Sequence, residues 1–348
     1  MAGTKWMKRM ALGMCAAVVC VFGLAEFASA GEGAIDKVDN SDMAIGVAVY
    51  KFEDTFVSMI RNAMVETCKK FGTRIDIVDS QNKQPVQNDQ IDLYLTKGVD
   101  ALVINPVDRT SAGPLIEKAK LDGVPVVFFD REPLPEAMQS YDKVWYVGGV
   151  DREAGTMCAD IILNYFKKHP EADRNGDGKI QYILLMGEIG AQDATMRTEY
   201  SEKTMAEHGA EQVGKDTAMW DKVFATNKME GFISSIGIEN IEAIIANNDD
   251  MALGAIEALK ANGYNTGDPD KFIPAVGIDA TEAALEALKN GELYATILAD
   301  SKGMGDACVK IVLASAKGMD VSKETIGYEV TGGKYVWIPH TPITMDDK

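Results

Sequence analysis

The run Asp173-Arg174-Asn175-Gly176-Asp177-Gly178-Lys179-Ile180-Gln181 places oxygen-bearing side chains at alternate positions and a glycine at the sixth place. Hard cations such as calcium take several oxygen ligands. This spacing matches the first half of an EF-hand-type calcium loop, with Gly178 making the sharp turn and Lys179 offering a backbone carbonyl. The glutamate that usually closes such a loop at its twelfth place is absent, because the chain has already entered an apolar strand run. A distant carboxylate must then complete the shell. A metal-free Asp/Asn/Gly turn is the simpler account of the same residues.

A second set of polar residues stands where apolar strand runs end and helical patterns begin: Asp54, Asp130, Asn248 and Asp279. Ligands of open parallel sheets bind outside these carboxyl ends of strands. Each residue could equally cap the helix that follows it, so the set carries more weight than any member. Phe56 lies two residues beyond Asp54, and Trp220 sits in the polar stretch Asp216-Thr217-Ala218-Met219-Trp220-Asp221. Aromatic planes suit the apolar C–H faces of a pyranose, while carboxylates, amides and a forked Arg suit its rim of hydroxyls. Core packing explains Phe56 at least as well. Asp193 and Arg197 stand four apart at a helix start after the glycine-bearing loop 187–190, which puts both on one face. They read either as ligand contacts or as an exposed ion pair.

These residues need a scaffold of strands and helices, and the hydrophobic pattern supplies one. Residues 43–50 form an apolar β-branched run, and Phe56, Ile60, Met64, Cys68 and Phe71 then recur at helical spacing before Gly72. The strand-helix-glycine unit repeats through 74–98, 101–123 and 125–129. A second series runs from 144 to 298, with strands at 144–148, 181–186, 243–246, 275–278 and 294–298 and helices between them. Nearly continuous apolar strands alternating with helices predict parallel sheets covered on both faces. Two doubly wound α/β lobes are the simplest partition. No long Pro/Ser linker separates them, so short crossings suited to a hinge are expected.

The chain ends restrict the class further. Lys5, Lys8 and Arg9, the apolar run 10–24 and Ala28-Ser29-Ala30 have the order of a secretory signal peptide over residues 1–30, cleaved near Ala30. The apolar run is shorter than the ~20 residues a membrane span needs. The formal charge of -18 becomes about -20 once this segment is removed, which opposes binding to nucleic acid or anionic lipid. Cys68, Cys158 and Cys308 remain, scattered among helical patterns as small buried residues rather than a disulfide framework.

At these residues the chain resembles the periplasmic glucose/galactose-binding protein family, from about Ile45 to Pro339. The most specific blocks are Tyr50-Lys51-Phe52-Glu53-Asp54-Thr55-Phe56, Asp79-Ser80-Gln81-Asn82, residues 126–133, Asp216 to Asp221 and Ala246-Asn247-Asn248-Asp249. The resemblance implies a type I periplasmic binding protein fold with a three-segment hinge. Residues 41–148 plus 299–337 would form the N-terminal lobe, and 149–298 plus 338–348 the C-terminal lobe with calcium loop 173–181. It assigns sugar contacts to Asp54, Phe56, Asp193, Arg197, Trp220, Asn248 and Asp279, and a further contact position to Asp130. It assigns calcium to Asp173, Asn175, Asp177, the Lys179 carbonyl, Gln181 and the distant Glu242. It also implies a periplasmic monomer that serves an ABC importer and often a chemotaxis receptor. Three positions depart from the family pattern: Asp130 and Ala299 replace amides, and Ala191 replaces a histidine. Six residues at about 3.3 Å each separate Glu242 from Asn248, which puts the metal roughly 20 Å from the sugar.

Two other classes compete. Asp54, Asp193 and Asp279 could serve a glycoside hydrolase, but no spacing fixes two carboxylates at the separation that chemistry requires, and no His is placed near the strand ends. A sugar-responsive repressor shares the two-lobed fold but needs a DNA-reading helix-turn-helix before the first lobe, where a signal peptide stands here.

Overall fold

The computed structural model describes residues 31–347, and the expected signal peptide lies outside them. The apolar runs of the first half form β1 (Ala44–Val49), β2 (Arg74–Asp79), β3 (Ala101–Ile104), β4 (Val126–Phe129) and β5 (Val144–Gly148). Those of the second half form β6 (Gln181–Met186), β7 (Glu211–Thr217), β8 (Ala243–Ala246), β9 (Ala275–Ile278) and β10 (Ala295–Ala299). Two short strands complete the set, β11 (Tyr335–Trp337) and β12 (His340–Thr344). They assemble into two six-stranded sheets, ordered β11-β5-β4-β3-β1-β2 and β12-β10-β9-β8-β6-β7. Each sheet with its helices is one lobe of a type I periplasmic binding protein fold.

The near-continuous hydrophobicity of the strands follows from burial on both faces. Val47, Val49, Val103 and Val127 face one apolar core, while Ala48, Leu102, Ile104 and Val126 face another across the same sheet. Ile183 and Leu185 are divided from Tyr182 and Leu184 in the same way in the second lobe. The helices between strands start and stop on local chemistry. Asp54 Oδ1 accepts from Val57 N at 2.8 Å to open the helix Thr55–Phe71, and Gly72, at φ 68°, ends it.

The chain passes between the sheets three times, after β5, after β10 and after β11. The crossings lie side by side: Trp337 pairs with Gly148, Ala299 pairs with His340, and Ile338 N donates to Gly148 O at 2.9 Å. The expectation of purely parallel lobes needs one correction. β12 runs antiparallel to β10. β10 approaches the hinge and β12 leaves it, so two neighbours there must point in opposite directions. β7, and the helices Lys222–Ile236 and Ser301–Ala316, are elements the hydrophobic pattern did not delimit.

The helix Ser301–Ala316 returns to the first lobe and packs on the helix Thr55–Phe71 at Gly305. A Cβ there would lie 2.6 Å from Ala63 Cβ and 2.8 Å from Ile60 O. Gly305→Ala should therefore cost about 1–3 kcal/mol through overpacking. Gly113→Ala, in a helix with nothing within 4 Å of the new carbon, should be neutral or stabilising. Thermal unfolding of both variants checks the contrast, and equal melting temperatures would contradict this packing.

Candidate functional site

The carboxyl ends of both sheets' central strands meet across one cleft. Asp54 and Phe56 follow β1, Asp130 follows β4, Asn248 follows β8 and Asp279 follows β9. Asp193, Arg197 and Trp220 come from the segments after β6 and β7, and all eight residues line the same space. Phe56, 7% exposed, belongs both to this lining and to the first lobe's apolar core.

The helix-cap account is correct for two of the four strand-end residues. Asp54 caps the helix Thr55–Phe71, and Asn248 Oδ1 accepts from Met251 N at 3.0 Å to cap Asp249–Ala261. Asp279 leaves that task to Thr281, whose Oγ1 accepts from Ala284 N, and the next helix after Asp130 begins at Pro135. Asp130 (φ 63°), Trp220 (φ 62°) and Asp279 (φ 125°) all adopt positive φ, which costs non-glycine residues energy and concentrates at functional sites.

Arg197 does not form the exposed pair with Asp193. It is 6% exposed, donates from Nε to Asp151 Oδ1 at 2.9 Å and from a terminal nitrogen to Asn247 O at 2.9 Å, and lies 5.8 Å from the Trp220 ring centroid. Trp220 is 9% exposed. Its indole lies so close to the end of β6 that a Cβ on Gly187 would come within 2.2 Å of it.

Two further residues line the cleft, Tyr50 and Arg131. The Tyr50 hydroxyl donates to Asp54 Oδ2, and the Arg131 guanidinium lies 3.7 Å over the Tyr50 ring. Arg131 also reaches across to Glu188 Oε2 at 2.9 Å, and Asn82 Nδ2 donates to Glu188 Oε1 at 3.0 Å. Burial pushes the Glu188 carboxyl up, but the Arg131 charge and these hydrogen bonds outweigh it and hold it below its ordinary value. A third bond between lobes joins Thr55 Oγ1 to Asp250 Oδ2 at 2.6 Å. The space enclosed by the cleft is about 20 Å³, roughly the room of one water. A six-membered ring enters only if the lobes part or Arg131 swings aside. Position after a strand was a usable signal for Tyr50 and Arg131; Glu188 had none, because its partners lie 57 and 106 residues away.

Beside the cleft, a cavity of about 210 Å³ shares Arg131 and Asp193 with it and is bordered by Ala191. Ala191, where the family pattern has a histidine, thus borders open space. Ala299, where the pattern has an amide, does not: it is 1% exposed and packed into the first lobe's core.

The loop 173–181 lies at the opposite ends of the strands. Asp173 Oδ1 and Oδ2 accept from Gly176 N and Gly178 N, Asn175 Oδ1 from Asp177 N, and Asp177 Oδ1 from Lys179 N. Gly178 takes φ 76°, the left-handed conformation its sixth place demands. Glu242, immediately before β8, accepts from Arg174 N at 2.7 Å and Gln181 N at 3.1 Å, which ties the distant carboxylate to the loop. Gln181 Oε1 is buried and accepts no hydrogen bond. An all-oxygen set with one orphaned amide oxygen fits a hard cation. Among the described residues no three His, Cys, Asp or Glu side chains form such a site alone, so amide and carbonyl oxygens would share the coordination.

Two lobes, a three-segment hinge and a polar aromatic cleft at the strand ends define a solute-binding protein. The chain belongs to the periplasmic binding protein family, whose domain model matches residues 45–320. It is 41% identical over 310 residues to the D-galactose/methyl-galactoside binding periplasmic protein of Haemophilus influenzae, covering 88% of this chain and 91% of that one. It is 32% identical to a xylitol-binding protein of Mycolicibacterium smegmatis, covering 84% and 78%. An ABC transporter solute binding protein from Bacillus halodurans, solved with bound myo-inositol, superposes with a TM-score of 0.72 at 30% identity, covering 89% of this chain and 96% of that one.

Burial, then the charges of Asp193 and Asp54, push the Asp130 carboxyl up from 3.8 to about 7. A carboxyl raised in this way contributes stability that is complete below its ordinary value and is lost as pH rises through the folded one. Asp130→Asn is never ionised, so its melting temperature minus that of the parent should become more positive between pH 5 and pH 8. A constant difference across that window would show that Asp130 stays ionised in the fold.

Proposed function

We propose that this protein is an exported periplasmic binding protein that closes around one hexose, D-glucose or D-galactose, and delivers it to the membrane subunits of an ABC importer. The observation that carries this reading is the single cleft shared by Asp54, Asp130, Asp193, Arg197, Asn248 and Asp279 with Phe56 and Trp220 on its walls. Carboxylates and a guanidinium make strong hydrogen bonds to hydroxyls, and the aromatic planes accept the C–H faces of a sugar. The galactose-binding relative supports the choice of hexose. A chemotaxis receptor is a second docking partner in this reading. The protein binds rather than transforms its ligand, and aryl glycosides should release no phenol in its presence.

A different or modified monosaccharide, sensed rather than imported, is the second reading, and Asp130 with Arg131 and Ala191 favours it. With its carboxyl raised to about 7, Asp130 changes between donor and acceptor near neutral pH, where an amide always does both, and Arg131 brings donors that neighbouring carboxylates already attract. Trp220→Ala should weaken hexose binding about tenfold or more, read by calorimetry. Binding as tight as the parent's would remove the stacking role.

The proposal also includes one calcium ion held by Asp173, Asn175, Asp177, the Lys179 carbonyl, Gln181 and Glu242. Four residues of β8 separate Glu242 from the strand end near Asn248, so the ion would brace the second lobe without touching sugar. An ion bound only to the folded state adds about 2.7 kcal/mol at 100 times its Kd. Excess EGTA should lower the melting temperature and added calcium should restore it. An unchanged melting curve, with no calcium in the purified protein, would remove the site.

A further inference from the structure

The cleft and the cavity beside it are the first two of three spaces that share walls. The second space shares Arg131 and Asp193 with the cleft, and shares Glu132 and Gln192 with a third space of about 580 Å³ on the hinge side. That third volume falls within the roughly 300–1,000 Å³ of small-molecule sites. Both lobes and the hinge itself build it: Trp337 and Tyr146 on one side, Asp151, Arg152 and Glu153 on the other, and Ile338 and Pro339 between.

The chemistry of this wall repeats that of the cleft. Trp337 stacks flat on Tyr335, with ring centroids 5.5 Å apart and planes 4° apart, and meets Tyr146 edge-on at 5.5 Å. The half-buried indole is therefore a rigid platform rather than a loose surface side chain. Exposed Arg152 and Glu153 stand at the rim; the Glu132 carboxylate accepts a long 3.4 Å contact from Gln192 Nε2, and its backbone carbonyl accepts from Arg109 Nε at 2.7 Å. A fixed aromatic plane ringed by carboxylates and a guanidinium is what a sugar ring requires. Asp151, which lines this space, bonds Arg197, which lines the cleft, so one buried ion pair forms part of both walls.

We propose that the hinge-side space is a second carbohydrate subsite, taking the outer ring of an oligosaccharide whose first sugar is held in the cleft and whose next ring crosses the second space, with Trp337 as its platform. This rests on the sugar-binding reading of the cleft and extends the ligand class from a monosaccharide to a glycoside long enough to pass Glu132 and Gln192.

Calorimetry on the full mature chain tests it with D-glucose, D-galactose and a panel of raffinose, maltotriose and cellotriose. At least one trisaccharide should bind within about tenfold of its better hexose, a difference of about 1.4 kcal/mol. Trp337→Ala should weaken that trisaccharide tenfold or more while hexose affinity stays within about twofold. Met196→Trp, which fills the same space from the facing helix, should exclude the trisaccharide and spare the hexose. If hexose binds and no trisaccharide does, the subsite is refuted while the sugar-binding reading stands. If Trp337→Ala or Met196→Trp weakens hexose and trisaccharide equally, the wall serves the hinge rather than a ligand, and the proposal fails. If no hexose binds either, the reading of the cleft falls and takes the subsite with it.

Discussion

A guanidinium buried to the extent of Arg197 must be paired, and much of the second lobe is arranged around that need. Removing one partner of such a buried pair typically costs about 3–5 kcal/mol, because a charge is left without compensation. Its partners come from different elements: Asp151 from the helix that follows the first hinge crossing, and the Asn247 carbonyl from the end of β8. Close approach follows. Gly155 must lack a side chain because a Cβ there would lie 2.4 Å from the Arg197 carbonyl oxygen. Asn247 Oδ1 in turn accepts from Gly187 N at 3.1 Å and Thr198 Oγ1 at 3.0 Å, so the loop under Trp220 is fixed through the residue that holds Arg197.

The cleft carries more acid than base. Asp54, Asp130, Asp193 and Asp279 line it against Arg131 and Arg197. Burial raises Asp279 well above its ordinary range, the charge of Asp249 behind it adds to this, and Asp130 is raised by burial and by Asp193. Carboxyls raised in this way hold their protons, so Asp130 and Asp279 can donate as well as accept, and the cleft can pair with hydroxyls in either role. The positive φ values of Asp130, Trp220 and Asp279 persist because surrounding packing holds them.

The lobes are joined by polar contacts of modest number but definite geometry. Glu188 is gripped from the first lobe by Arg131 and Asn82, and Asp250 by Thr55. Such contacts break without exposing an apolar core, since each lobe keeps its own clusters on both sheet faces. Opening is then a matter of hinge torsions at adjacent short crossings rather than of unfolding.

Much of this was legible along the chain. The apolar runs gave the central strands because residues buried on both faces cannot alternate with polar ones, and strand-end position singled out Asp54, Asp130, Asn248 and Asp279. β7 escaped because Glu211–Thr217 is a half-exposed edge without an apolar run, β11 because it has only three residues, and β12 because His340–Thr344 is a part-exposed edge carrying a proline and no apolar run. The loop 173–181 announced itself through spacing, since its hydrogen bonds are local. Pairing was another matter. The sequence offered Asp193 as the natural partner of Arg197, four residues away, yet the fold supplies Asp151 from 46 residues away. It likewise brings Glu188 to Arg131 and fills the space at Ala299 while leaving it open at Ala191. Local pattern determines which residues stand at strand ends. Which charges neutralise one another, and where room remains for a ligand, depends on how two sheets separated in sequence meet, and only the tertiary structure decides that.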